Sequence, residues 1–207
     1  FIFPGMAPQD TDRRLLEAAG EVFAARGFTA ATVREICERA EANVAAINYH
    51  YGDKQGLYQA VFRHAARCGE QQPDPQELSG EPAARLRAWA ASFLRGLVEK
   101  DCAGWPGRLM ARELADPSPA LAEYIEQGAR PRYELLLDIL AQARPRMSAA
   151  RLRRCAASVI GQVIFYHHAQ PFIARLAPDN LLTADTVERT ANHIAAFSLA
   201  GLMAELP

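Results

Sequence analysis

Cysteine is scarce: four residues, at 37, 68, 102 and 155, with no C-x-x-C pair and no Cys/His spacing that suits a metal. A disulfide framework and a zinc site are excluded on that pattern, and the four read as reduced thiols in a cytosolic protein. No run of 18 apolar residues occurs, so no membrane partner is expected. The opening Phe-Ile-Phe-Pro-Gly is too short for a secretory signal, and Met6 reads as the natural start, with the five residues before it set aside as an expression remnant. An excess of one charge is missing too. The chain carries 23 Lys/Arg against 24 Asp/Glu, a net charge of −1 and a pI near 6.6, which gives no general attraction to membranes or polyanions. No alternating pattern marks a strand, and internal repeats are absent. What is present is 207 residues, 50% of them hydrophobic, enough to bury a substantial core in one or two domains. Every periodic stretch has helical spacing, so the fold class is all-α.

The punctuation places the helices. Thr11 is a cap candidate for a first helix over about 12–26, with Leu15, Ala19, Val22 and Phe23 on one face and Gly27 as its stop. Gln71-Gln72-Pro73-Asp74-Pro75, continuing to Ser79-Gly80, is a polar, proline-marked linker. It divides an N-terminal domain over 6–70 from a helical domain over 81–207. Helices in the second are expected at roughly 82–100, 105–115, 118–143, 149–169 and 183–204, between proline-containing breaks.

The stretch Thr32–Tyr58 carries the most information. Thr32 and Glu35 have the spacing of a capping box, and Val33, Ile36, Cys37 and Ala40 form one apolar face on a short packing helix. Glu41-Ala42 interrupts the pattern, and Asn43 caps a second short helix over Val44–Tyr51, in which Ile47 and Tyr51 face inward. Val44, Ala45, Asn48 and Tyr49 are left outside. Gly52 stops this helix and Asp53 caps the next, with Leu57, Val61, Phe62 and Ala65 as its buried stripe. A short exposed helix with small leading residues can enter a major groove, where Asn pairs with adenine and methyl groups touch thymine. Tyr49, His50 and Lys54 suit phosphate contacts, which position without specifying.

Phe23, Gly27, Phe28, Thr32, Ile36 and Ala40, followed by Ile47-x-Tyr49-His50-Tyr51-x-x-Lys54-x-x-Leu57, resemble the N-terminal domain of TetR-type transcriptional repressors across about residues 11–67. Trp105-Pro106, Arg108–Leu114, Pro117-Ser118-Pro119 and the run from Val159 to His168 are similar to one TetR subgroup, which shares an Ala-Ala-Ile-Asn-Tyr-His recognition helix. The resemblance implies DNA contacts from Thr32, Arg34, Val44, Ala45, Ala46, Asn48, Tyr49, His50 and Lys54, with Arg34 as a guanine reader. It implies a double-stranded operator and a small-molecule effector as partners, and no enzyme activity or cofactor. Two departures stand out. Glu41 occupies a position where the family has a turn Gly that tolerates positive φ, which implies strain or a different turn. Residues 1–70 hold eight Lys/Arg against nine Asp/Glu, so the usual basic footprint is missing.

The last two helices are apolar on more than one face, through Ala156, Ala157, Val159, Ile160, Val163 and Ile164 in one, and Ile194, Ala195, Phe197, Leu199 and Leu202 in the other. Such a helix needs two partners. The resemblance implies that this pair forms a four-helix homodimer interface, and a dimer implies a palindromic operator. Candidate effector-pocket residues are Trp89, Phe93, Trp105, Arg108, Arg112, Glu113, Tyr166 and His167, with His168 beside them; His167-His168 equally suits the cationic end of a helix. The functional reading is a ligand-responsive dimeric repressor. One rival is a dimeric helical adaptor that has lost DNA binding. The other, a metal-dependent hydrolase using Glu113, His167 and His168, is disfavoured because adjacent histidines point to different sides of a helix and no H-x-x-x-H spacing occurs.

Overall fold

The computed structural model describes residues 8–67, 78–98 and 104–204, which are helices and turns without a strand among them. In chain order the helices are α1 (Pro8–Ala30), α2 (Val33–Ala40), α3 (Val44–Tyr51), α4 (Lys54–Arg67), α5 (Pro82–Val98), α6 (Trp105–Ala115), α7 (Pro119–Tyr124), α8 (Arg130–Ala143), α9 (Ala149–His168), α10 (Gln170–Leu176) and α11 (Val187–Met203). They form two compact units. One is built from α1–α4 with α6 and α7, the other from α5 and α8–α11.

In the first unit α1 begins at Pro8, four residues before the expected start, because proline suits the first turn of a helix. Thr11 therefore lies inside the helix and does not cap it. The break falls where the sequence places it, at Gly27, whose φ of 75° favours glycine. Leu15, Ala19, Val22 and Phe23 are buried against Ile36, Ile47, Leu57, Val61 and Phe62. The Phe23 ring meets Tyr58 edge-on at 4.8 Å.

Helix α6 completes this core although it begins at Trp105, well past the Arg67 end of α4 and beyond the linker. Trp105 packs so closely on α1 that a Cβ at Gly20 would sit 2.4 Å from the indole ring. Its Nε1 donates to Glu17 Oε2 at 2.7 Å, and Arg108 pairs with Glu21 at 2.7 Å. Glu113, 2% exposed, accepts from the Tyr58 hydroxyl, from Ser118 N at 2.9 Å and from Ser118 Oγ at 3.0 Å. Burial, and then the neighbouring carboxylate, push the Tyr58 phenol well above its ordinary range. Residues 105–124, placed by the sequence reading in the second domain, thus pack with the N-terminal helices.

In the second unit α5 lies on α8, α9 and α11, burying Leu86, Trp89, Leu94, Leu136, Ile139, Val159, Val163 and Ile194. The single helix expected over 118–143 is instead α7, a π-turn at Ile125–Ala129 and α8. The break read at Gln170-Pro171 is the start of the unexpected α10, since proline is tolerated in a first turn. The helix expected from 183 opens as a 3₁₀ turn, Ala184–Thr186, capped reciprocally by Thr183 and Thr186, before α11. Cys37 and Cys155 are free thiols; Cys68 and Cys102 lie outside the described residues. Among the described residues no helix is long and apolar enough to cross a membrane.

Candidate nucleic-acid interface

The two short helices are set by their caps. Thr32 Oγ1 accepts from Glu35 N at 3.2 Å, while the Glu35 carboxylate turns to Arg26 Nε at 2.8 Å, so the expected capping box is half formed. Ile36, Cys37 and Ala40 are buried as the spacing predicts. Asn43 Oδ1 accepts from Ala46 N at 3.0 Å and starts α3. One buried residue, Ile47, anchors α3 to the core, and the Tyr51 hydroxyl donates to Asp12 Oδ1 at 2.7 Å, tying α3 to α1. Burial and then Asp12 push the Tyr51 phenol above its ordinary range. Asp53 Oδ1 accepts from Gly56 N at 2.8 Å to open α4, and a Cβ at Gly56 would lie 2.0 Å from the Tyr51 carbonyl oxygen. The corner between α3 and α4 closes only around glycine.

The turn between α2 and α3 resolves the question raised by Glu41. Its φ and ψ are 50° and 44°, and its N–H reaches Glu38 O at 3.4 Å while Ala42 N donates to Cys37 O at 3.0 Å. This is a Schellman turn with glutamate at the left-handed position that glycine usually takes. Strain, not a different turn, is the outcome. The Glu41 side chain, 87% exposed and 3.9 Å from Arg14, gains little in return. Glu41→Gly should therefore stabilise the protein by about 1 kcal/mol, seen as a higher midpoint in thermal unfolding. An unchanged or lower midpoint would contradict this account.

The nine proposed contact residues do not all face outward. Thr32, Arg34, Val44, Ala45, Asn48 and Tyr49 are exposed, Tyr49 by 85%. Ala46 is half-buried against the core. His50 is turned back, with Nδ1 3.7 Å from Asp12 Oδ1 and its side chain 18% exposed. Lys54 Nζ lies 4.7 Å over the Phe28 ring and 3.4 Å from Thr29 O. Arg34 Nε donates to Glu38 Oε1 at 2.8 Å, and that bond holds its guanidinium charged more firmly than usual. Such exposed pairings cost at most about 1 kcal/mol to exchange, so Arg34 and Lys54 can be redirected to an anionic ligand. The face as built is a ridge of small residues followed by an amide and a phenol, on a helix short enough to enter a groove.

The eight candidate pocket residues fall in different units. Trp105, Arg108, Arg112 and Glu113 belong to the first, where their polar atoms are engaged; Arg112 donates to Arg26 O at 3.2 Å beside Gly27. Trp89, Phe93, Tyr166 and His167 belong to the second. There Trp89 Nε1 donates to Arg132 O at 3.0 Å, and Phe93 meets both the Trp89 ring, edge-on, and the Arg132 guanidinium, which lies 4.4 Å from its centroid. His167 and His168 meet edge-on at 4.9 Å. Burial lowers the pKa of both, and a charge on His168 lowers His167 further, which disfavours the cationic helix end that the pair equally suits in sequence. Among the described residues no group of three His, Cys, Asp or Glu could hold a metal.

Comparison with known proteins gives matches in both halves. Residues 15–61 match the family of bacterial regulatory proteins of the tetR family, and residues 82–202 match the C-terminal domain of the HTH-type transcriptional dual regulator CecR. The HTH-type transcriptional repressor AcnR of Corynebacterium glutamicum is 39% identical over 67 residues, which are 32% of this chain and 36% of that protein. The HTH-type transcriptional activator FasR of Mycolicibacterium smegmatis is 28% identical over 137 residues, 65% of this chain and 61% of its own length. The chain thus spans less than two thirds of either relative. The hemolysin II transcriptional regulator HlyIIR superposes with a TM-score of 0.62 at 22% identity, covering 90% of this chain and 98% of that one. SCO4454, a TetR-family regulator from Streptomyces coelicolor, superposes with a TM-score of 0.63 at 18% identity over 95% and 97%. At these identities the two structures show a shared fold.

Proposed function

The chain belongs to the TetR-type transcriptional regulators that carry a CecR-type C-terminal domain, and from that membership we propose that it is a ligand-responsive, dimeric, cytoplasmic repressor that occludes a promoter through a palindromic operator. The outward face of α3 carries this reading: Val44, Ala45, Asn48 and Tyr49 project from a helix pinned by Ile47 and Tyr51. Asn48 and the methyl groups read bases, Tyr49 and Thr32 position the backbone, and Arg34 reaches a guanine once it leaves Glu38. The run Ala45-Ala46-Ile47-Asn48-Tyr49-His50 supports placing the chain in the subgroup that shares that recognition helix.

The dimer reading rests on α9 and α11. Each buries one face, through Val159 and Val163 or Ile194 and Leu202, yet leaves Ala157, Ser158, Gly161 and Phe165, or Ala196, Phe197, Ala200 and Gly201, exposed. Phe197 is 65% exposed, and a Cβ at Gly161 or Gly201 would touch nothing within 4 Å. Two adjacent open faces of small and apolar residues suit a second copy of the same pair. An effector would be bound in the second unit, with Trp89, Phe93, Tyr166 and His167 as its candidates, and would act by its differential affinity for two headpiece separations.

The test is fluorescence anisotropy with DNA from immediately upstream of the protein's own gene, beside a scrambled duplex at two salt concentrations. A repressor prefers the first by ~10³ or more and binds it as a dimer. Equal, salt-erased binding to both duplexes favours the adaptor.

A further inference from the structure

Charge in the second unit is unevenly shared. Arg85, Arg95 and Arg130 pair with Asp138, Glu188 and Glu126. From Ile139 to Pro178, by contrast, the sequence holds six arginines and no Asp or Glu. Three of the six, Arg144, Arg146 and Arg151, line a cleft of about 510 Å³ at the turn between α8 and α9, together with Pro145, Met147 and Ser148. The cleft has no carboxylate in its lining, and among the described residues none of the three arginines forms an ion pair. Two of them are held in place: Arg151 donates to Ala204 O at 2.6 Å and Arg144 lies 3.8 Å from Met203 Sδ. The turn itself is closed by Met147 N on Arg144 O at 3.0 Å.

We propose that this cleft binds a small multivalent oxyanion, a phosphorylated or polycarboxylate metabolite, between Arg144, Arg146 and Arg151. Guanidinium forks match the oxygen spacing of both groups, and three of them around one concavity complement a charge of −2 to −4. The volume fits a metabolite, since small-molecule sites measure roughly 300–1,000 Å³. Fixing two arginines to the end of α11 and leaving Arg146 exposed gives a site with two preset donors and one that closes on the ligand. The assignment goes beyond the DNA reading and stands apart from it, because its test uses no DNA.

The experiment is isothermal titration of the full chain with inorganic triphosphate, and separately with tricarballylate, at constant ionic strength. Saturable binding of one anion per chain is expected; the tighter of the two probes identifies the phosphate or the carboxylate source. Arg146→Glu should weaken it at least tenfold, whereas Arg175→Glu, on an exposed arginine of the same acid-free segment that lies outside the cleft, should change it less than twofold. Thermal unfolding of both variants checks that the fold is retained. Absence of saturable binding with either anion, or equal loss in the two variants, would overturn the site.

Discussion

Asn48→Ala should lower affinity for operator DNA by about ten- to a hundredfold and leave thermal unfolding unchanged. The size follows from the loss of one bidentate base contact, about 1–3 kcal/mol. The unchanged stability follows from position: Asn48 is exposed, and its side chain makes no hydrogen bond among the described residues. The loss should be confined to the specific duplex, with binding to a scrambled duplex unaffected, because a base contact carries sequence information and a phosphate contact does not. Tyr49→Phe gives the complement. It removes a phosphate-directed hydroxyl and should weaken binding to both duplexes by a similar, smaller factor. If Asn48→Ala binds the operator as tightly as the parent chain, α3 is not the reading helix and the adaptor interpretation gains.

Glu113→Ala should destabilise the first unit by about 3 kcal/mol. The carboxylate is 2% exposed and accepts from three donors, of which the Tyr58 hydroxyl and the Ser118 N–H would be stranded by its removal. Each buried donor left unmet costs about 1–3 kcal/mol. Against a total stability of about 5–15 kcal/mol this is a large fraction. Glu113→Gln keeps an acceptor and should cost about half as much; Tyr58→Phe removes one donor and should cost less than Glu113→Ala. Denaturant unfolding followed by Trp105 fluorescence, in a Trp89→Phe background so that one indole reports, would measure the series. A change below about 1 kcal/mol for Glu113→Ala would show that the carboxylate holds nothing together.

Short-range signals are legible in the sequence where the governing contacts are local. Thr32, Asn43 and Asp53 each cap the helix assigned to them, Gly27 and Gly52 stop theirs, and the buried stripes of α2 and α4 are the spaced apolar residues. A cap bonds three residues away, so its chemistry is visible in a short window. Trp105 is the opposite case. A candidate pocket residue in sequence, it is held by Glu17, a partner 88 residues distant, and by the absence of a side chain at Gly20. Nothing near Trp105 in the chain announces either. Glu113 was similarly visible as a polar residue of interest and illegible as the acceptor for Tyr58, 55 residues back. For the candidate interface, sequence identified the outward residues of α3, but not that His50 and Lys54 fold back on Asp12 and Phe28. α10 is illegible in the sequence because its proline, which elsewhere marks a break, sits in its first turn.

Because α6 and α7 complete the core that α1–α4 begin, the headpiece is discontinuous in sequence, and the chain passes between the two units three times. Modular engineering must respect that threading. A fragment ending at residue 70 would lay bare the seats of Trp105 and Leu109 and strand the Tyr58 hydroxyl, giving a sticky, half-finished domain. A chimera that imports another protein's reading helices has to import the α6–α7 insert with them, or graft only the outward residues of α3 onto this scaffold.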